Sequence, residues 1–349
     1  HKAIRRQRQM CIRDRPYNDI IRKFIDMYAG RLRNQVSFML SACNFYMPIF
    51  EEALDAYGLP LELRYLPIIE SALNPSAVSR AGASGLWQFM IGTGKIYGLE
   101  SNSLVDERRD PIKATWAAAR YLKEMYDIYG DWNLVIAAYN CGPGTINKAI
   151  RRANGETDYW KIYNYLPKET RGYVPAFIAA NYVMTYYCDH NICRMETNIP
   201  ASTDTVQVNK NLHFEQIADL CNVPLDQIKS LNPQYKKHMI PGDSKPYTLR
   251  LPIDAISTFI DKQDTIYAHR ADELFRNRKT VAVKEITPST RKTTAPVAGK
   301  GKLTYYTIKS GDTLSTIAGK YGVTIKDIQR WNGMSNTKIA AGKRLKIYK

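Results

Sequence analysis

Two stretches of this chain, 100 residues apart, carry the same pattern. "VQVNKNLHFEQIADLCNVPLDQIKSLNP" (206–233) aligns without a gap on "YTIKSGDTLSTIAGKYGVTIKDIQRWNG" (306–333). Ile217 falls on Ile317, Ala218 on Ala318, Val223 on Val323, Ile228 on Ile328 and Asn232 on Asn332. Self-similarity at a fixed offset marks a repeated supersecondary unit. Each copy opens on a short alternating strand, runs through two short helices and closes on a second strand, "YTLRLP" (247–252) or "RLKIY" (344–348). The pattern predicts two small α+β modules of βααβ type, at 203–252 and 304–349. Between them, 253–303 reads as a helical stretch and then a basic Pro/Thr/Lys linker, since "TPSTRKTTAPVAGKGK" (287–302) has the composition of a tether.

Ahead of the repeats the texture is different. From Pro16 to about Met195 apolar residues recur at helical spacing, and no alternating strand interrupts them. Asp110-Pro111 is an N-cap followed by a proline at the first helical position, and Gly130 is a stop. Asp131 caps the next segment, which meets Cys141-Gly142-Pro143-Gly144. Residues 16–198 are therefore expected to form one mainly α domain. The opening "HKAIRRQRQMCIRDR" (1–15) is basic and non-periodic, and is read as a non-domain segment that need not be native.

The 349 residues give room for two or three domains, and a hydrophobic fraction of 44% is that of a folded protein. No apolar run reaches the roughly 18 residues that a membrane helix needs. The first residue is His, so the chain is expected to be a fragment, one that a signal peptide or lipid anchor could have preceded. The net charge of +17 raises the question of nucleic acid. Residues 1–15 hold six Lys/Arg against one Asp, and residues 276–302 hold eight against one Glu, so most of the excess lies outside the predicted domains. No base-reading motif accompanies it, and nucleic acid is not expected as a partner. The six cysteines form no CxxC pair, and "CDHNIC" (188–193) lacks a second ligand pair at zinc-finger spacing, so no metal is expected. In an oxidising compartment Cys188 and Cys193 could pair. Cys43, Cys141 and Cys221 read as buried thiols.

One glutamate stands apart. Between Ile68 and Met90, Glu70 is the only acid. It borders the stripe Leu66, Ile69, Leu73 and falls in the last turn of a helix that Asn74-Pro75 should end. Partial burial and the negative end of the helix both disfavour its anion. A carboxyl held protonated near neutral pH is what a general acid needs. The same description fits a solvated glutamate at a helix edge, the commoner case. The loop that follows changes the balance. Gly82 and Gly85 allow close backbone approach to a ligand, Ser79 and Gln88 offer neutral hydrogen bonds, and Trp87, Phe89 and Met90 offer apolar surface on which sugars stack.

Three blocks now fall in order: "ESALNPSAVSRAGASGLWQFM", "AAYNCGPG" (137–144) and "LPKETRGYVPAFIAANYV" (166–183). They resemble the signature blocks of the soluble-lytic-transglycosylase family, and "SGDTLSTIAGKYGV" (310–323) resembles a LysM module. The resemblance covers nearly everything from Pro16 onward. It implies a lysozyme-like helical catalytic domain followed by two LysM-like modules, the first of them degenerate. It implies an enzyme that cuts the bond between N-acetylmuramic acid and N-acetylglucosamine in peptidoglycan without water, giving a 1,6-anhydro sugar. Glu70 matches the family's sole catalytic acid/base, and Ser71 completes the Glu-Ser pair. Ser79 and Gln88 match positions that contact the sugar, Met90 one that lines the cleft. Tyr139 and Asn140 belong to the Ala-Tyr-Asn block, with Asn140 helping to hold substrate. Tyr173 matches a tyrosine whose hydroxyl faces the catalytic carboxyl. Trp87 departs from the methionine common at its place, which should alter cleft shape rather than chemistry.

In the second LysM-like copy, Gly311, Asp312, Thr313 and Leu314 match the glycan-binding loop; the first copy has Asn211 and Leu212 where Gly311 and Asp312 stand. Two modules on a tether would raise the local glycan concentration. No cofactor is implied. The expected partner is the peptidoglycan glycan strand, met by a monomer in the bacterial periplasm or envelope, with an outer-membrane lipoprotein as one form. Two rival readings stand beside this one. A hydrolytic muramidase on the same fold would need a second carboxylate or a positioned water. A non-catalytic peptidoglycan-binding protein would work through its LysM modules alone.

Overall fold

The computed structural model describes residues 18–275, apart from 197, 198 and 201, and residues 303–348, apart from 310, 333, 335, 336 and 338. The basic opening segment and residues 276–302 of the linker lie outside the described residues. The chain divides into two compact units, with the division between Ile286 and Thr287.

The first unit begins with two helices, α1 (Asp19–Ala29) and α2 (Arg33–Ala56). Asn18 caps α1 by accepting from the amides of Ile20 and Ile21. Pro48 stands inside α2 without ending it. A 3-10 turn, Leu61–Tyr65, leads into the six-residue α3 (Leu66–Ser71). Then come α4 (Ile91–Ile96), α5 (Pro111–Tyr129), α6 (Trp132–Cys141), α7 (Pro143–Arg152), α8 (Tyr159–Ile162), α9 (Lys168–Arg171) and α10 (Tyr173–Thr185). The caps read from sequence are in place. Asp110 accepts from the amides of Ile112 and Lys113, both at 2.9 Å, and Gly130 ends α5 at φ 61°. Asp131 accepts from Asn133 and Leu134 and starts α6. Gly142, at φ 81°, does more than stop α6: it turns the chain so that Pro143 opens the next helix.

α6 is buried along most of its length, with Leu134, Val135, Ala137 and Ala138 inaccessible, and it forms the spine on which α5, α7 and α10 pack. Trp87 and Phe89 belong to the same core, at 0% and 3% exposure. Trp87 packs edge-on against Phe50 and donates its indole N–H to Thr115 Oγ1 at 2.9 Å. The sequence reading offered both rings as sugar-stacking surface. They are interior: α2 and α5 close over Trp87, and Tyr121 of α5 and Tyr139 of α6 pack on Phe89. Cys188 and Cys193 are free, exposed thiols rather than a bonded pair.

After residue 200 comes the first module: β1 (Thr203–Val208), β2 (Asn211–His213), α11 (Phe214–Cys221), α12 (Leu225–Leu231), β3 (Met239–Pro241) and β4 (Tyr247–Pro252). β1 and β4 pair antiparallel, with Val206 opposite Leu249, and β2 pairs with β3. The second ladder is an addition to the βααβ plan. Three further helices follow, α13 (Ile253–Asp261), α14 (Gln263–Ala268) and α15 (Ala271–Phe275). Phe259 and Ile266 sit in the core of the module, so the helical stretch after Pro252 is packed into it. The module does not hang from a tether, as the sequence reading expected of both copies. It docks on the helical domain, inserting its own Tyr235 and Lys236 beside residues 102–106 and taking Val105 into its core.

The second unit holds the plain βααβ form: β5 (Leu303–Thr307), α16 (Leu314–Tyr321), α17 (Ile325–Trp331) and β6 (Arg344–Tyr348), with Leu303 opposite Tyr348. The repeated asparagine explains part of the repeat. Asn232 Nδ2 donates to the carbonyls of Ile228 (2.9 Å) and Arg250 (2.8 Å), and its Oδ1 accepts from the Arg250 amide (2.8 Å). Asn332 does the same with Ile328 (2.8 Å), Lys346 carbonyl (2.8 Å) and Lys346 amide (2.7 Å). One side chain thus ties the second helix to the last strand. Asn232→Ala leaves three buried backbone groups without it and should cost about 2–3 kcal/mol, seen in denaturant unfolding as a lower midpoint. Among the described residues, no helix is long and apolar enough to cross a membrane.

Candidate active site

Glu70 ends a very short helix because the backbone reverses hand directly after it. Ala72 (φ 50°) and Leu73 (φ 58°) are both left-handed, so the helix stops at Ser71, short of the Asn74-Pro75 boundary expected from sequence. Left-handed conformation in two successive non-glycine residues costs about 1–2 kcal/mol each and persists only where surroundings enforce it. Ser71 provides part of that enforcement. Its hydroxyl bridges the carbonyls of Pro67 (3.0 Å) and Leu86 (2.9 Å), stapling the helix end to the loop that follows. Ser71, read from the resemblance as substrate-binding, has its hydroxyl on these two carbonyls while the residue also lines the cavity over Glu70.

The loop from Ala77 to Phe89 folds on itself through bridges between Val78, Ser84 and Phe89. Ser79 Oγ accepts from the Ala83 amide. Gln88, at φ 48°, donates its side-chain amide to the carbonyls of Ala77 (3.2 Å) and Gly85 (2.8 Å). Gly85 is required here, but not for a ligand. A Cβ at Gly85 would stand 1.7 Å from the Arg108 carbonyl oxygen, so the close approach is to the chain itself.

A cavity of about 420 Å³ opens over Glu70. Ser71, Ser79 and Gln88 line it with Glu70, as do Tyr28 of α1, Leu32 at the N-cap of α2, and Gln35 and Met39 of α2. Among the described residues, Glu70 is the only carboxylate that lines it. Its carboxyl lies deep among apolar groups although the residue keeps partial exposure at the cavity. Burial pushes its pKa up from 4.5 to about 7, against the opposing effect of a hydrogen bond from Tyr173. The Tyr173 hydroxyl donates to Glu70 Oε1. Burial, and then the charge of Glu70, hold the phenols of Tyr173 and Tyr139 well above their ordinary pKa, so both stay protonated donors. Tyr139 donates to the Trp87 carbonyl at 2.7 Å and secures the loop from the side of α6. Removing the Tyr173 hydroxyl removes an influence that lowers the pKa of Glu70. Tyr173→Phe should therefore move the alkaline limb of the pH–activity profile upward, by about one pH unit for a hydrogen bond worth 1.5 kcal/mol to the anion; initial rates across pH 5–9 check it.

The other predicted residues lie further out. Asn140 is exposed, and its Oδ1 accepts from Thr170 Oγ1 at 3.0 Å. Met90 is 45% exposed at the start of α4 and does not line the cavity over Glu70. In the second unit Gly311 is left-handed at φ 89° and Asp312 accepts from Tyr306 Oη and the Lys309 amide, both at 2.8 Å. Those hydrogen bonds hold the Asp312 carboxyl below its usual range. Thr313 caps α16 and Leu314 is buried, so Asp312, Thr313 and Leu314 build the loop, and Gly311 and Thr313 are its exposed members.

Sequence reasoning missed Arg108. Its side chain is 6% exposed, and Nη1 donates to the carbonyls of both Gly82 and Phe89 at 2.9 Å, spanning the two ends of the Gly-rich loop. Nε and Nη2 form a fork on Asp106, at 2.9 and 2.8 Å. An arginine in a charged "DERRD" run looks like solvated surface, and only the fold reveals the buried partner.

Three family models match. "Transglycosylase SLT domain" covers residues 47–162, "Lytic transglycosylase MltD, LysM-like domain" covers 202–268, and "LysM domain" covers 306–347. Over 336 residues, 95% of this chain, it is 30% identical to Membrane-bound lytic murein transglycosylase D of Escherichia coli (strain K12), spanning 69% of that protein. The chain belongs to the membrane-bound lytic murein transglycosylase D family. A more distant relative of that family, Soluble lytic murein transglycosylase of Escherichia coli (strain K12), is 33% identical over 124 residues, 34% of this chain and 19% of that protein. The crystal structure of the 70 kDa soluble lytic transglycosylase from Escherichia coli aligns at 29% identity and a TM-score of 0.36, over 41% of this chain and 24% of that one. The family resemblance read from the three sequence blocks is upheld by the matched models and the relative, as are the mainly α domain and the LysM modules that follow it. Tyr28 and Leu32, in the cavity wall, precede the matched SLT segment.

Proposed function

We propose that this chain is a peptidoglycan lytic transglycosylase with Glu70 as its single acid/base. The observation that carries the reading is a cavity with one carboxylate, held near neutral pKa and hydrogen-bonded by a tyrosine. Hydrolytic glycosidases generally use two carboxylates, one to give a proton and one to activate water or attack. Here one group serves twice. Glu70 gives its proton to the glycosidic oxygen between N-acetylmuramic acid and N-acetylglucosamine, and that bond breaks. The acetamido oxygen of the substrate supports the charge at C1. The Glu70 carboxylate then takes the proton of the muramoyl O6 hydroxyl as that oxygen attacks C1, leaving a 1,6-anhydro sugar and a protonated Glu70. Tyr173 donates to Oε1, which leaves Oε2 for the transferred proton and steadies the anion between the two steps. Ser79 and Gln88 border the sugar beside the broken bond, Met90 and Asn140 extend the contact further out, and Tyr139 supports the loop through the Trp87 carbonyl. The LysM unit, through the loop at Gly311 to Leu314, holds glycan.

The enzyme works as a monomer in the bacterial envelope on glycan strands, with no cofactor. Purified sacculi digested with the wild type and with Glu70→Gln test the reading. The wild type should release muropeptides; the variant should bind the sacculi and release none. Release by the variant would overturn the assignment of Glu70.

A further inference from the structure

The two LysM-like modules differ in the loop that follows the first strand. In the second module Gly311 and Thr313, in the loop after the first strand, are exposed. In the first module the corresponding residues form β2, which pairs with β3. Asp243 then takes both the backbone amide (3.0 Å) and the side-chain amide (2.5 Å) of Asn211. Gly242 lies so close that a Cβ there would meet the Lys210 carbonyl oxygen at 2.2 Å. Both amide groups of Asn211 are thereby engaged within the module.

The same module grips the chain just upstream of Arg108. Asp106 N–H donates to the Gln234 carbonyl (2.9 Å) and Lys236 N–H to the Leu104 carbonyl (2.8 Å). Lys236 Nζ donates to the Asn102 carbonyl (2.7 Å) and lies 3.7 Å from Asp106 Oδ2. Asp106 in turn fixes Arg108, whose one nitrogen holds Gly82 and Phe89. Between those two anchors sits Gln88 in a left-handed conformation, a state that needs external support.

We propose that the first LysM-like module serves the catalytic loop instead of the glycan, and that Lys236 and Arg108 are positioning residues for Gln88 and its neighbours. The module clamps residues 102–106, Asp106 orients the guanidinium, and the guanidinium sets the span of the loop that walls the cavity over Glu70. The proposal rests on the lytic reading of that cavity.

Lys236→Met in the full chain tests it, because the substituted side chain is partly exposed at the module edge and does not enter the cavity. Hydrogen exchange without substrate should be faster at the amides of Ser84 and Gln88, which bond within the loop. On sacculi, kcat should fall about tenfold, a cost typical of a slightly misplaced binding group, while KM and retention on sacculi stay unchanged. Lys236→Arg should restore kcat. In a Gln88→Ala background the same substitution should change kcat little, since the two act through one loop. Weaker retention on sacculi with unchanged kcat would overturn the proposal and make the module a glycan clamp. Unchanged exchange and unchanged kcat would overturn it as well. A wild type that releases nothing would defeat the lytic reading instead, and the exchange measurement would still decide the role of Lys236.

Discussion

Glu70→Gln should lower kcat on sacculi by at least about 1,000-fold, since one side chain carries both proton transfers and each is worth about 10²–10⁴. The amide keeps the shape and still accepts from Tyr173, so the loss is chemical. In the wild type the acid form is the active one for the first step. With Glu70 titrating at about 7, kcat/KM should hold at acid pH and fall as pH rises through about 7. The same substitution should stabilise the fold at alkaline pH. Glu70 titrates at 4.5 when unfolded and at about 7 when folded, so between those values the folded state binds the extra proton. Stability is then lost as pH rises through that window, and about 3–4 kcal/mol is missing above pH 7 at 1.36 kcal/mol per unit. Glutamine removes that loss. Urea unfolding should find the variant more stable than the wild type at pH 8 and equal to it below pH 4.

Arg108→Met should be the most damaging substitution in the helical domain outside the cavity. Methionine keeps the volume but abandons Asp106, whose side chain is 2% exposed. Burial alone would push that carboxyl up; Arg108, with Lys236 and Arg109, outweighs burial and holds it below its usual range. Removing one partner of such a buried pair costs about 3–5 kcal/mol, and the carbonyls of Gly82 and Phe89 lose their donor too. A drop in Tm of about 10 °C is expected at 2–4 °C per kcal/mol. The sign of the pH dependence follows from the depressed pKa. The contribution of the pair is present above the unfolded pKa of Asp106 and fades as pH falls through its folded value, so the gap between wild type and variant should narrow in acid. A variant with unchanged Tm at neutral pH would remove the pair from the account of the loop.

The parts of this architecture that were legible in the sequence were those encoded by local chemistry. Asp110, Asp131 and Gly130 announce helix ends because capping needs only neighbours, and the offset repeat announces the modules because Asn232 and Asn332 perform the same local tie. Glu70 was visible because no other acid follows it in the chain until Glu100. What was not legible depended on distant partners. Trp87 and Phe89 look like a sugar platform until α2, α5 and α6 cover them. Gly85 looks like a ligand contact until the Arg108 carbonyl is found against it. The docking of the first module through Val105 and Tyr235 joins segments about 130 residues apart, and no periodicity reports such a contact.

The central claim is that one carboxylate breaks the glycan without water. The most direct measurement is digestion of purified sacculi in water enriched in ¹⁸O, followed by mass spectrometry of the released muropeptides. The account predicts products one water lighter than reducing-end muropeptides and carrying no ¹⁸O. Reducing-end products with one ¹⁸O at the new terminus would contradict it, and would require a second group in the cavity that activates water.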